Sequence, residues 1–424
     1  MPAITYPATM DTSAASEGGF QAEITSLTSR FPVENATIRI ATVEQPERIL
    51  EEIKTSSSGL TPLISLPAPP LEYSMNPVEE RPYSEYVLTI TAPGFETVQI
   101  TGAEVLPGVV AKQQASLLPQ SPSEPDTAED FFIPDHTLYG EYPPKIVEEE
   151  VKEVASLGEI VLQSVVIPEF IVVHDGLPTN SNAKNYYVRY RDYIKNVASS
   201  EIYATWPEET IYANILAIQS FTLNRVYTEW YRSRGYEFTI TSSTAYDHKW
   251  ISERNIFDTI DTAVDNIFNQ YLSRPNVKQP ILTQYCDGRR TTCPGLMSQW
   301  GSKYLGDDGL SAIEILRNYY GNDMYINSTE EISGVPTSWP GYTLEIGSSG
   351  TPVLTIQEQL NTISDAYPLI PKLAEDGIYG SATAEAVRTF QDIFGYPESG
   401  VVDFNTWYRI SQIYVGVSRI GEYG

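Results

Sequence analysis

The dipeptide Trp206-Pro207 constrains the fold more than any other feature of this 424-residue chain. Proline has no N–H and a fixed φ, so a helix can start at it but cannot run through it. The stretch from Asp192 to Gln219 therefore reads as two segments, with Glu201 placed just before the break. Glu208 and Glu209 suit the positive end of a helix dipole, and Gly235 can stop the helix they begin. Between them Ile211, Ile215, Ile218 and Phe221, with Leu216 and Leu223 beside them, form the stripe of a buried core helix. Ile313 to Tyr320 repeats the helical spacing and ends at Gly321.

Upstream the period changes. Phe20 to Ile24, Ala36 to Ala41, Tyr86 to Thr91 and Thr97 to Thr101 alternate apolar and polar residues between Pro and Gly, which predicts an antiparallel sandwich over 19–118. Residues 1–18 are small and polar and are expected to be disordered. The proline-rich insert from Thr61 to Pro82 is expected to be a long loop. Residues 119–165, with the run Glu148-Glu149-Glu150, read as an acidic linker, and an exposed linker is where a protease cuts. Pro32-Val33-Glu34-Asn35-Ala36 and Pro93-Gly94-Phe95 give the sandwich a resemblance to carboxypeptidase-regulatory or Cna-B-like modules.

The net charge of −28 argues against a nucleic-acid partner, whose binding rests on phosphate neutralisation. Acidic residues outnumber basic ones 25 to 8 over 1–165 and 11 to 4 over 331–424, but only 19 to 15 over 166–330. A nearly balanced middle suits a site for an anionic polymer. No apolar run approaches the ~18 residues of a membrane span, and Met1 to Phe20 lacks the basic and apolar regions of an ordinary secretory signal.

Tyr193 to Glu201, Thr205-Trp206-Pro207-Glu208-Glu209, Ser243-Thr244-Ala245, Leu296-Met297-Ser298-Gln299-Trp300-Gly301 and Ile315-Leu316-Arg317-Asn318-Tyr319-Tyr320 stand in one order over roughly 187–321. In that order they resemble the SpoIID/LytB family of peptidoglycan lytic transglycosylases. Ile218-Gln219-Ser220-Phe221 replaces that family's Ala-Arg-Thr-Tyr, Asp247 stands where Gln is common, and Cys293 takes the place of a His.

Chemistry points to the same carboxyl. Breaking a glycosidic bond requires an acid on the leaving oxygen, and most hydrolases add a second carboxylate. A lytic transglycosylase needs only one, because the sugar's own C6 hydroxyl replaces water. Glu201 is the candidate, and burial against Ile202, Tyr203 and Trp206 would keep it protonated. Asp247 and His248 are a candidate orienting or acid–base pair, or an ordinary loop pair. Trp206, Gln219, Ser298 and Gln299 are candidate sugar contacts; Ser298 and Gln299 would serve equally as turn residues. Cys286 and Cys293 admit a loop disulfide, half of a zinc site, or a Cys/His nucleophile pair. No cofactor and no metal is expected.

The C-terminal residues Asp376-Gly377-Ile378-Tyr379-Gly380, Thr383, Ala386-Val387, Phe390-Gln391 and Thr406-Trp407 resemble the small three-helix peptidoglycan-binding domain, over 342–414. Most of the apolar positions belong to its core, and Asp376 and Tyr379 mark the turn expected at its ligand groove. The chain thus reads as a multidomain α+β protein: an N-terminal β-sandwich, a central mixed α/β SpoIID-type catalytic domain over 166–330, and the helical binding domain. Resemblance to the spore cortex-lytic enzymes implies spore cortex peptidoglycan as partner and a subtilisin-like germination protease as activator. It also implies synthesis in the mother cell, deposition between coat and cortex, and a zymogen activated by removal of the N-terminal part. An amidase or muramidase on the same polymer, and a non-catalytic wall-binding protein, are the other readings.

Overall fold

The computed structural model describes residues 16–120, 128–152, 164–334 and 339–418. Residues 1–15, most of the segment expected to be disordered, lie outside them; Glu17 and Gly18 already belong to the first strand, β1 (Glu17–Ser26). Its burial alternates residue by residue, as the period-two pattern dictates. Then come β2 (Thr37–Thr42), β3 (Glu51–Lys54), β4 (Ile64–Pro67), the short helix α1 (Glu72–Met75), β5 (Ser84–Thr91), β6 (Val98–Val105), β7 (Val110–Leu117) and β8 (Glu129–Phe132). One sheet has the order β3-β2-β5-β6-β8. In the other, β1 pairs antiparallel with β4 and parallel with β7, Gly19 opposite Val110. So the sandwich is not purely antiparallel: β1 returns beside a strand from the far end of the domain.

The proline-rich insert is not one long loop. Ile64 and Leu66 add an edge strand to β1, where Pro67 costs no ladder bond, and α1 follows. Buried Ser74 of α1 accepts the Trp206 indole N–H on its carbonyl at 2.9 Å and the Thr205 hydroxyl bonds its Oγ at 2.8 Å, so the insert reaches the middle of the chain.

The middle domain starts with β9 (Phe170–His174), β10 (Asn185–Arg189) and α2 (Tyr190–Glu201). Next are α3 (Glu208–Tyr227), β11 (Ile240–Thr241), β12 (Ile256–Phe257), α4 (Asp258–Ile267) and β13 (Gln270–Ser273). It closes with β14 (Tyr285–Cys286), β15 (Met297–Ser298), α5 (Gln299–Asp307), α6 (Ala312–Tyr320) and β16 (Tyr325–Ser328). Rather than showing one stripe, α3 is buried on nearly every side, polar Asn214, Gln219, Asn224 and Arg225 included. It is the central post, touched by α2, α4, α5, α6 and β13. A capping box of Ser311 with Glu314 starts α6.

Strand β12 does not join a sheet of its own domain. It pairs antiparallel with β7, Ile256 opposite Lys112 and Phe257 opposite Ala111, giving the order β12-β7-β1-β4. The sandwich is completed by a strand that comes about 140 residues later in the sequence.

Helices α7 (Thr351–Ala366), α8 (Ser381–Ile393) and α9 (Phe404–Ser418) make the C-terminal domain around Val353, Ile356, Leu360, Val387, Phe390 and Trp407. It docks on the middle domain: Arg191 of α2 donates to the Tyr408 carbonyl at 3.0 Å and to Gln412 at 2.7 Å, and Asn405 to Asn266 at 2.7 Å. Among the described residues no helix is long and apolar enough to cross a membrane.

Candidate active site

Helix α2 ends at Glu201; Ile202 turns extended, and Pro207 at the start of α3 sets the break. The Glu201 carboxyl is completely buried. Its Oε1 accepts the backbone N–H of Lys249 at 2.6 Å, and its Oε2 accepts the Tyr285 hydroxyl. Burial pushes its pKa above the ordinary carboxylate value, while the Lys145 ammonium and the two hydrogen bonds pull the other way. A carboxyl so placed holds a proton more readily than one in water, the property required of a general acid.

His248 donates to or accepts from the Tyr193 hydroxyl through Nδ1 at 3.0 Å, and its ring lies nearly parallel to Tyr285, 5.8 Å between centroids. Burial, with Lys145 and Arg225 nearby, holds its pKa well below the usual histidine range, so the ring is neutral. Its Nε2 is buried without a protein partner. The structure brings Glu201, Tyr285 and His248 into one row.

Asp247 stands apart from that row. One oxygen takes the Arg225 Nε–H at 2.7 Å, and the other takes Tyr231 OH, Thr241 N–H and Thr241 OH at 2.7, 2.9 and 2.7 Å. Accepting four hydrogen bonds from protein, this carboxylate braces the loop that carries His248 and Lys249. Trp206 is buried against Trp300, 5.1 Å between rings. Gln219 donates to the Ile267 and Gln270 carbonyls at 2.8 and 3.0 Å, a tie between α3 and the start of β13. Ser298 caps α5, accepting from Gly301 N–H at 2.9 Å. Gln299 is fully buried with neither amide atom bonded to protein. Asp376 is exposed and holds the Ile378 N–H and Gln357 at 2.9 Å, whereas Tyr379 is core, its hydroxyl on the Gly400 carbonyl at 3.0 Å. Cys286 and Cys293 form a disulfide, so neither supplies a free thiol or thiolate.

The acidic stretch read as an exposed linker is packed over this site. Residues 121–127 and 153–163 lie outside the described residues, but 133–152 run as a strap across the middle domain. Thr137 donates to the Ser200 carbonyl at 2.9 Å, one residue before Glu201. Thr291 holds the Tyr142 carbonyl at 2.8 Å. Lys145 puts its ammonium on the Asp247 carbonyl, 5.2 Å over the Tyr285 ring. Beyond it Ile146 pairs with Ala245 and Gln284, Glu148 takes two Arg225 bonds at 3.1 and 2.6 Å, and Glu150 takes two from Arg274 at 2.7 Å. The charge run fails as a wholly solvated face: buried Arg225 takes Glu148 and half-buried Arg274 takes Glu150, while Glu149 stays exposed. Lys145, Tyr142 and Tyr285 were not singled out by the sequence reading; Lys145 stands alone after Pro143-Pro144, and no spacing links it to Glu201 across the fold.

Residues 349–410 match the family of peptidoglycan binding domains. The C-terminal helical domain is therefore of the type that binds cell-wall polymer. No curated protein matches the chain. Among solved structures it is similar to the SleB N-terminal domain, at 26% identity over 18% of this chain and 97% of that one, with a TM-score of 0.16. It is similar also to the Bacillus anthracis TIE protein, at 13% identity over 24% of this chain and 17% of that one, with a TM-score of 0.17. A third likeness is to GBS52, the minor pilin of Streptococcus agalactiae, at 14% identity over 26% of this chain and 49% of that one, with a TM-score of 0.18.

Proposed function

We propose that this chain is a spore cortex-lytic enzyme of the SleC kind, a peptidoglycan lytic transglycosylase made as a zymogen. The observation that carries the reading is Glu201, a buried carboxyl with a raised pKa at the end of a helix, placed beside Tyr285 and a neutral histidine. Glu201 gives its proton to the glycosidic oxygen between MurNAc and GlcNAc as that bond breaks. The muramic C6 hydroxyl then bonds C1 and returns its proton to the carboxylate, leaving a 1,6-anhydro end with no water consumed. Tyr285 and the Lys249 N–H hold the carboxyl in position through both steps. Gln299, with both amide atoms unbonded, faces the task of binding sugar better than Ser298, whose hydroxyl caps α5, or Gln219, whose amide nitrogen is engaged within the protein.

The sandwich is a Cna-B-like module and the centre a SpoIID-type domain on this reading. The helical domain retains the enzyme on the wall in the space between coat and cortex. With the strap in place no glycan reaches Glu201, so a subtilisin-like germination protease activates the enzyme by cutting the strap's connection.

The test uses cut protein on purified cortex sacculi. Wild type is expected to release anhydro-muramic ends, while Glu201→Gln loses at least 100-fold in lysis and still sediments with sacculi. Undiminished lysis by the folded variant would sink the assignment; reducing ends would indicate a muramidase, and free stem-peptide amino groups an amidase.

A further inference from the structure

The zymogen picture treats everything before the cut as disposable, and the boundary between the first and second domains contradicts that. Arg254 and Glu104 are both fully buried and meet in two bonds, 2.9 and 2.5 Å. Asn255 and Glu104 exchange side-chain and backbone bonds at 3.0 and 2.9 Å. Asp258 takes the Val110 N–H at 3.0 Å, Lys112 pairs with Asp261 at 2.8 Å, and Gln113 donates to the Glu253 carbonyl at 2.9 Å. Between these side chains β12 continues the β7 ladder, with Phe257 and Ala111 in the shared core.

Neither half of this boundary is complete alone. Separation would part this ion pair and expose to water the apolar Phe257 and Ala111 that now share one core. It would also open a sheet edge at β7. The same Arg254 donates at 3.0 and 2.6 Å to the Ser199 carbonyl, two residues before Glu201, so Glu104 acts through Arg254 on the last turn of α2.

We propose that residues 16–120 are a standing subunit of the protein: when the backbone is cut between this domain and the strap, the domain stays on the face made by β12, Arg254, Asn255 and Asp261. The surface it occupies is thus an interface for a partner of fixed identity, the chain's own first domain, and its job is to hold the turn that ends in Glu201. Glu104 and Arg254 are positioning residues, not catalytic ones.

The experiment does not depend on any wall-lytic activity. Residues 121–127 are replaced by the recognition sequence of a site-specific protease, the purified full chain is cut to completion, and the product is passed over gel filtration at about 0.15 M and about 1 M salt. Both fragments are expected in one peak at the volume of the uncut chain, parting only in denaturant. Two peaks in native buffer would overturn the proposal. Hydrogen exchange on the cut sample adds an independent check: the amides of Glu104 and Val110, which bond across the boundary to Asn255 and Asp258, should keep the protection they have in the uncut chain. A rise of tenfold or more at these amides would mean that β8 or the strap, and not this interface, retains the domain, and would equally overturn it.

Discussion

Glu201 receives two hydrogen bonds, and each donor should be visible in its titration. Tyr285→Phe removes the bond to Oε2, which favours the ionised form, so the variant is expected to hold its proton to higher pH. An acid is active when protonated, so lysis by cut wild type should fall as pH rises through the Glu201 pKa. In Tyr285→Phe the falling limb should move to higher pH; a pH–rate profile of the two proteins checks the sign. Lys145 gives a second titration. Burial lowers its pKa to about 8 from 10.5, so between those values the unfolded chain binds the extra proton and the contribution to stability improves as pH rises. The melting temperature of the uncut chain relative to Lys145→Met should therefore climb between about pH 8 and about pH 10, where an unchanged difference would show that the ammonium is not buried. The burial of Glu201 at a helix end was legible in sequence because a proline break and the apolar Ile202, Tyr203 and Trp206 follow it. Its donor Tyr285 was not, since a hydroxyl 84 positions away is brought there only by the pairing of β14 with β15.

At the scale of elements the helices were the legible part. Pro207 and the acidic first turn sufficed to start α3, although it ends at Tyr227 and Gly235 closes a separate short turn after it, and the turn from Asp376 to Gly380 sufficed to start α8. The strap was illegible for an electrostatic reason. Three consecutive glutamates look solvated until the partners are known, and the partners, Arg225 and Arg274, belong to other elements. Their two-pronged bonds should set how firmly the strap is held. Glu148→Gln with Glu150→Gln is expected to raise the basal lysis of uncut protein by roughly tenfold, about 1.4 kcal/mol, by loosening the strap without touching Glu201. Assay of the uncut double variant beside uncut wild type decides it. Equal rates would place the block elsewhere.

Over the whole molecule the sequence boundaries suggested beads on a string, whereas the fold ties its parts through α4. Asp261 takes Lys112 from the first domain and Lys195 from α2, and Asp265 takes Lys195 and Arg191. Tyr396 of the helical domain also bonds Asp265. Period and composition report on faces of single elements, so they are blind to an ion cluster assembled from three domains. The Glu104→Ala variant of the full-length chain should accordingly be destabilised by about 3–5 kcal/mol, the cost of leaving Arg254 buried and unpaired. Denaturant melts of wild type and variant measure this; a change under about 1 kcal/mol would mean that solvent enters and replaces the pair.

The late arrival of β12 also bears on synthesis. While a ribosome makes this chain, β7 is finished roughly 140 residues before Ile256 and Phe257 exist, so the nascent first domain exposes one unpaired edge to every neighbouring chain for that interval. Lys112, which later meets Asp261, is the charged residue guarding that edge in the meantime, which gives a residue of the finished interface an earlier duty as a safeguard against aggregation.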